Sequence, residues 1–419
     1  MKRITALLSI IISVHCLYAA SPAAATYNSI QCEGSAMPYP TPKESASYPD
    51  SLTPVMINHV GRHGARYPSS SSRPLAMKRA LQHADSLGTI TPLGRELLAV
   101  TENVITRSNG KWGALDSLGM AEQRGIAARM FANYPNLFAN GKVSALSSFA
   151  PRCIMSMYSF THQLARMNNR LEIFTSSGRQ NSPLMRPFDI DQDYIDYRDD
   201  KPYDDILKSY IAETAPVAPV KRVLGEGYPL DEEHMRDLAI TEYGLLAGLS
   251  AMGYNVDVLK FLTIDEYNSL WSCNNLRQYL ERTANTISTV PSDIAADLLM
   301  NLINTTDEVA ERCSDTRVML RFGHAETLMP LLSLMHIPGC YYMTNYFDTV
   351  DSHWRNFYVV PMASNLQIIL FRAKSGRLYA RFDLNEVPVT LIPGNDSIYI
   401  PWSTARQYLR RCLPAHMQI

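Results

Sequence analysis

Val55-Met56-Ile57-Asn58-His59-Val60 is an almost uninterrupted apolar run that ends on a glycine-punctuated basic turn, Gly61-Arg62-His63-Gly64. A short apolar run stopped by glycine reads as a buried strand. Two later segments repeat the arrangement. Ser144 to Phe149 precedes Pro151-Arg152-Cys153, and Val318 to Phe322 precedes Gly323-His324-Ala325-Glu326. Buried strands need helices to cover them, and helical spacing follows each one. Pro74 opens one helix, Pro92 to Ile105 and Leu118 to Ala132 fit two more, and Asn365 to Ala373 meets Leu378 to Leu384 as a hairpin. Between the ends the pattern changes. Residues 175–220 read as loops and short elements. From Leu230 the chain is helical, with a capping box at Thr263-Ile264-Asp265-Glu266 and Ser292 capping a stripe of Ile294, Leu298, Leu299, Leu302 and Ile303. The expected fold class is therefore α/β, a sheet with flanking helices, plus an inserted, mostly α-helical domain. The boundaries fall at 26–165 and 315–419 for the two parts of the α/β domain and 166–314 for the insertion.

Residues 1–25 read as an export signal: Lys2 and Arg3, an apolar stretch to Leu17, then small residues from Ala19 to Ala25. Export to the periplasm is the expectation, with secretion or a surface or vesicle location as the alternatives. Cys16 suggests lipidation as a further alternative, against which His15 stands where a small residue is expected. The remaining cysteines, Cys32, Cys153, Cys273, Cys313, Cys340 and Cys412, predict one to three disulfides in an oxidising compartment. None has the spacing of a zinc site. No later run is long enough for stable membrane insertion, and a monomer is the default state.

Composition narrows the partner. Lys+Arg number 39 against Asp+Glu 40, a net charge of −1, so no basic excess exists to coat nucleic acid. A compact polyanion needs only a few arginines aimed at one point. Arg62-His63-Gly64-Ala65-Arg66 supplies that arrangement at the carboxyl end of a strand, where open α/β sheets bind ligands. Guanidinium forks suit phosphoryl oxygens, and cations on both sides disfavour a charged His63, which keeps its lone pair free. Arg152 offers a third guanidinium. His324 and Glu326 add an imidazole and a carboxyl able to protonate a leaving oxygen. Arg186 is a candidate for an outer phosphate, as are Lys201, Lys221 and Arg222 in the insertion. A metal reading of His59 and His63 is weaker, because Gly61 makes their spacing a strand end rather than a helix face.

Arg62-His63-Gly64-Ala65-Arg66-Tyr67-Pro68 resembles the R-H-G-x-R-x-P signature of the histidine acid phosphatases, the clade 2 histidine phosphatases. His324-Ala325-Glu326 is similar to the H-A-E variant of the multiple inositol polyphosphate phosphatase branch, in place of the His-Asp pair common elsewhere. Leu115 to Glu122 follows the family's L-T-x-x-G-x-x-Q segment loosely, with Asp116 and Glu122 as departures, and bears on fold rather than chemistry. The resemblance implies the histidine phosphatase fold, a phosphohistidine on His63, and a phosphate clamp of Arg62, Arg66, Arg152 and His324. It also implies Glu326 as proton donor, no metal or cofactor, and phytate or lower inositol phosphates as substrate. A broad acid or sugar phosphatase with the same pocket is the alternative within enzymes. A catalytically silent anion-binding protein is the alternative outside them.

Overall fold

The computed structural model describes residues 26–139 and 141–418; the expected export signal and Cys16 lie outside the described residues. Its centre is a mixed sheet. In chain order the strands are β1 (Leu52–Arg62), β2 (Lys142–Ser147), β3 (Glu172–Ser177), β4 (Thr316–Gly323), β5 (Asn365–Ala373), β6 (Leu378–Leu384), β7 (Val387–Val389) and β8 (Ile400–Pro401). In space they run β3-β2-β4-β1-β5-β6-β7, with β8 beside β6. Strands β3, β2, β4 and β1 are parallel to one another, whereas β5 is antiparallel to both β1 and β6. The β5–β6 turn contains Gly376 at φ +87, the left-handed backbone that a tight hairpin requires.

Register explains why three distant turns meet. Arg62 pairs with Gly323 across β1 and β4, and Ser147 pairs with Phe322 across β2 and β4. All three strands therefore end at one sheet edge, and the residues after them are neighbours. Alternation on β1 and β5 serves two cores. Met56, Val60, Leu366, Ile368 and Leu370 face one, and Ile57, Ile369 and Phe371 face the other. Burial on both faces is what the apolar run of β1 demanded.

A third apolar cluster lies away from the sheet. Helices Ser72–Ser86 and Pro92–Ser108 pack there through Met77, Leu81, Leu97 and Val104. Their partners are Val223, Leu246, Leu270 and Trp271 from later helices. The helical layer thus draws on chain from before and after β2. The stretch 166–314 also contributes the edge strand β3 and helix Ala296–Ala310, whose Thr306 Oγ1 accepts from Asn58 Nδ2 of β1 at 2.8 Å. The capping box forms as expected at helix Ile264–Arg282, with Glu266 Oε2 accepting from Thr263 N at 2.7 Å. Ser292 does not cap the long helix. It lies in a separate turn, Val290–Asp293, and its hydroxyl donates to Thr289 O at 2.8 Å. Residues 182–224 are short helices more than loops.

The disulfide expectation is corrected: all six cysteines among the described residues are free thiols. Cys32 and Cys273 fill the helical cluster and Cys340 the sheet core, where a thiol packs as a small apolar group. Cys153 packs against the end of β4 and the His324 ring, and Cys313 is exposed.

One buried group makes a stability prediction. Glu242, on helix Glu232–Leu246, is fully buried, and neither carboxylate oxygen has a hydrogen-bond partner among the described residues. Burial pushes its pKa from 4.5 up to about 8, against the pull of Arg222. The unfolded chain releases this proton near pH 4.5 and the folded chain near 8, so stability falls by about 1.4 kcal/mol per pH unit between them. The gap between Glu242→Gln and wild type in chemical denaturation should widen over that window. A gap independent of pH would refute it.

Candidate active site

The signature turn is held from three sides. Arg62 N donates to Ser364 O at 2.8 Å and His63 N to Gly323 O at 3.0 Å, which anchors the turn to the ends of β4 and β5. Gly64 N donates to Ser156 Oγ at 3.1 Å. Below it runs helix Ser117–Asn133, N-capped by Asp116, whose carboxylate accepts from Leu118 N at 2.9 Å. Glu122 accepts from Ala65 N at 2.7 Å and Tyr39 N at 2.8 Å, and Gln123 donates to Arg62 O at 2.9 Å. The Leu115–Glu122 segment therefore shapes the turn. Gly64 and Gly119 touch: a Cβ on Gly64 would sit 2.4 Å from Gly119 O, and one on Gly119 2.2 Å from Ala65 O. Only glycine permits that approach.

The structure brings together His63, His324, Glu326, Arg62, Arg66, Arg152 and Arg186. His63 is buried, and its Nδ1 lies 2.9 Å from Gly64 O. Donation to that carbonyl fixes the tautomer and leaves Nε2 with the lone pair. Burial, reinforced by Arg62, Arg152 and Arg66, drives its pKa well below 6.5, so the ring is neutral. The His324 ring stands 5.7 Å from it. Burial, aided by Arg152 and Arg186, lowers the His324 pKa to about 3 although Glu326 opposes the shift.

Donors outnumber acceptors at this edge. Arg152 Nη2 lies 3.1 Å from His324 Nδ1, while Arg186 Nη1 and Ser148 Oγ lie 2.7 and 2.9 Å from Nε2. A neutral imidazole can accept at one nitrogen only. The buried Nε atoms of Arg62, Arg66 and Arg152 have no acceptor among the described residues. Arg62 is tied by Nη1 to Ser35 O and Val360 O, at 2.6 and 2.5 Å, and Arg66 by Nη1 to Tyr67 O at 2.8 Å. Such a cluster has the chemistry to neutralise an anion with several oxygens placed over His63 Nε2.

Arg186 sits closer than an outer phosphate ligand would. Asp189 accepts from its Nε at 2.6 Å, and the guanidinium lies 4.8 Å from the ring centroids of Phe149 and Phe188. Lys201, Lys221 and Arg222 lie elsewhere: Lys201 ends helix Gln192–Asp200 in the open, Lys221 faces Glu226, and Arg222 grips Glu266 at 2.7 and 2.8 Å. Cys153 is inert, its thiol pushed up to about 12 by burial. Glu326 occupies the first turn of helix Ala325–Leu334, and its Oε1 lies 3.1 Å from Arg282 Nη1. Sequence reasoning missed Ser148, Arg282 and Arg73. Arg73 opens helix Ser72–Ser86 and lines, with Arg66, Ser69 and Ser72, a cleft of about 490 Å³ leading from the signature turn toward Gly244.

The profile of the histidine phosphatase superfamily (branch 2) matches residues 55–385. The chain belongs to that superfamily. This branch 2 histidine phosphatase is similar to human multiple inositol polyphosphate phosphatase 1, at 24% identity over 356 residues, 78% of this chain and 72% of the relative. The Bifidobacterium longum multiple inositol polyphosphate phosphatase, solved in complex with inositol hexasulfate, superposes with a TM-score of 0.79 at 16% identity. That match covers 93% of this chain and 98% of the other. The phytase from D. castellii superposes at 0.74 with 17% identity, covering 95% and 89%. The fold shared with both structures is the histidine phosphatase fold expected from the sequence.

Proposed function

We propose that this histidine phosphatase hydrolyses inositol polyphosphates such as phytate. The observation that carries the reading is the excess of buried guanidinium donors around a neutral His63 whose Nε2 is free. In the first step Nε2 attacks phosphorus as the bond to the inositol oxygen breaks, and Glu326 gives that oxygen a proton. Arg62, Arg66, Arg152, Arg186 and His324 hold the three oxygens of the transferred group and stabilise charge gathered on them. In the second step water attacks the phosphohistidine, Glu326 takes the water's proton, and the nitrogen–phosphorus bond breaks. Inorganic phosphate and neutral His63 remain.

Two observations support a substrate with several phosphates over one with a single phosphate. The cleft beside Arg66 carries a further cation, Arg73, where the other phosphates of a large substrate can lie. The human relative is named for inositol polyphosphates, and the Bifidobacterium neighbour was solved with an inositol hexasulfate, a polyanion of the same shape. The deciding measurement is digestion of phytate with products separated over time, beside glucose 1-phosphate and an aryl phosphate. Phytate should be consumed stepwise to lower inositol phosphates with the highest kcat/KM of the three. A kcat/KM for glucose 1-phosphate above that for phytate would favour a broad acid or sugar phosphatase. Export to the periplasm belongs to the same proposal, on the strength of the N-terminal residue pattern. Recovery of the activity in the cytosolic fraction would contradict it.

A further inference from the structure

Glu326 is paired with a cation that belongs neither to the signature turn nor to its neighbours. Arg282 is the last residue of helix Ile264–Arg282 and its side chain is about 21% exposed, against 34% for Glu326. Its Nη1 lies 3.1 Å from Glu326 Oε1. Its Nη2 is 3.7 Å from Glu281 Oε2, and Glu281 also has Arg277 at 3.7 Å. Arg282 therefore keeps one carboxylate whatever happens to the other. The groups around Glu326 are Arg62 at the end of β1, Arg66 after it, His324 after β4, Cys153 on helix Pro151–Met167, Tyr194 on helix Gln192–Asp200, and the Arg282–Glu281 end. An ion-paired carboxylate is in the wrong protonation state to donate to a leaving oxygen.

We propose that Arg282 is a positioning residue that exchanges partners: it holds Glu326 as a carboxylate in the free enzyme and turns to a neighbouring phosphate of a bound polyphosphate, which releases Glu326 to take one proton from solvent and act as the acid. The inference rests on the function proposed above. A guanidinium fork fits a phosphate at least as well as a carboxylate, so the exchange needs only a second phosphate within reach. A substrate with one phosphate places it over His63 and leaves the Arg282–Glu326 pair intact. Selection of polyphosphates then lies in turnover as well as in binding, because the substrate itself completes the acid.

Two measurements on the full-length protein test it. The first is proton uptake on binding inositol hexasulfate, whose sulfate esters do not titrate, by calorimetry at pH 5 in buffers of different ionisation enthalpy. Wild type should take up more protons than Glu326→Gln, since any uptake by His63 or His324 is common to both. Equal uptake overturns the proposal, and this comparison needs no Arg282 variant to fold. The second is kinetic. Arg282→Gln should lower the ratio of kcat/KM for inositol hexakisphosphate to that for glycerol 2-phosphate by about tenfold or more, the effect of about one pK unit on Glu326. Arg282→Lys should recover part of it. Equal losses on both substrates would make Arg282 merely structural and overturn the exchange. Wild type that releases no phosphate from inositol hexakisphosphate would instead sink the function proposed above.

Discussion

His63→Ala should abolish phosphatase activity on every substrate while leaving a folded protein that still binds inositol hexasulfate. Loss of a covalent nucleophile costs on the order of 10⁴-fold or more in kcat, and nothing nearby can stand in for it. His324 has donors at both ring nitrogens, and Cys153 is a buried thiol facing Gly323 O at 3.1 Å. Ligand binding should survive because the ring being removed is neutral, so the guanidinium charges that attract the anion are untouched. A depressed pKa also means that His63 stays unprotonated through the range where a free imidazole titrates. The wild-type kcat/KM profile should therefore show no loss of nucleophile near pH 6.5. Alkaline quench of wild type with labelled substrate should trap a phosphoryl group on protein, as expected of a nitrogen–phosphorus bond, and the variant should trap none. Activity within about tenfold of wild type, or label retained in the variant, would remove His63 from the role.

Much of this site was legible in the sequence because its chemistry is local. Arg62, His63 and Arg66 lie within five positions at the end of one strand, His324 and Glu326 follow another, and register alone places the two turns side by side. Strands β1, β4 and β5 announced themselves through apolar runs buried on both faces. Strand β3 did not. Glu172, Thr175, Ser176 and Ser177 give an edge strand whose residues are largely exposed, so no apolar alternation marks it, and its only neighbour among the described residues is β2. The helical layer was illegible for a different reason. Helices before β2 and helices after β3 share one apolar cluster, and periodicity says which face is buried but not against what. Arg186 shows the same limit at the site. Its sequence neighbours, Met185 and Pro187, gave a loop, whereas its position on His324 depends on Phe149 and Phe188 flanking the guanidinium. Arg282 carries no motif at all. It becomes visible only when the end of its helix meets the first turn after β4. The disulfide expectation failed because even parity counts cysteines without locating them.

Glu326→Gln should separate substrates by their leaving groups. An alkoxide leaves a phosphorus centre poorly without a proton, so kcat/KM for inositol hexakisphosphate should fall by roughly 10²–10⁴-fold. An aryl phosphate expels a stabilised phenolate and needs little help, so its kcat/KM, which reports steps up to departure of the alcohol, should fall by less than about tenfold. Its kcat should fall further than its kcat/KM, because hydrolysis of the phosphohistidine also loses the group that takes the water's proton. Pre-steady-state mixing would then show a burst of phenol followed by a slow steady rate. The amide keeps an oxygen to accept from Arg282, so the variant tests proton transfer rather than the packing of helix Ala325–Leu334. Burial alone would raise the Glu326 pKa, but Arg282 and then His324 and Arg62 outweigh it and hold the carboxyl well below the usual range. That sign matters. A depressed acid is ionised throughout the working range, so the wild-type donor has to be reprotonated in the complex before it can act. Equal losses of kcat/KM on alkyl and aryl substrates would mean that Glu326 only shapes the pocket, and the proton would have to come from elsewhere.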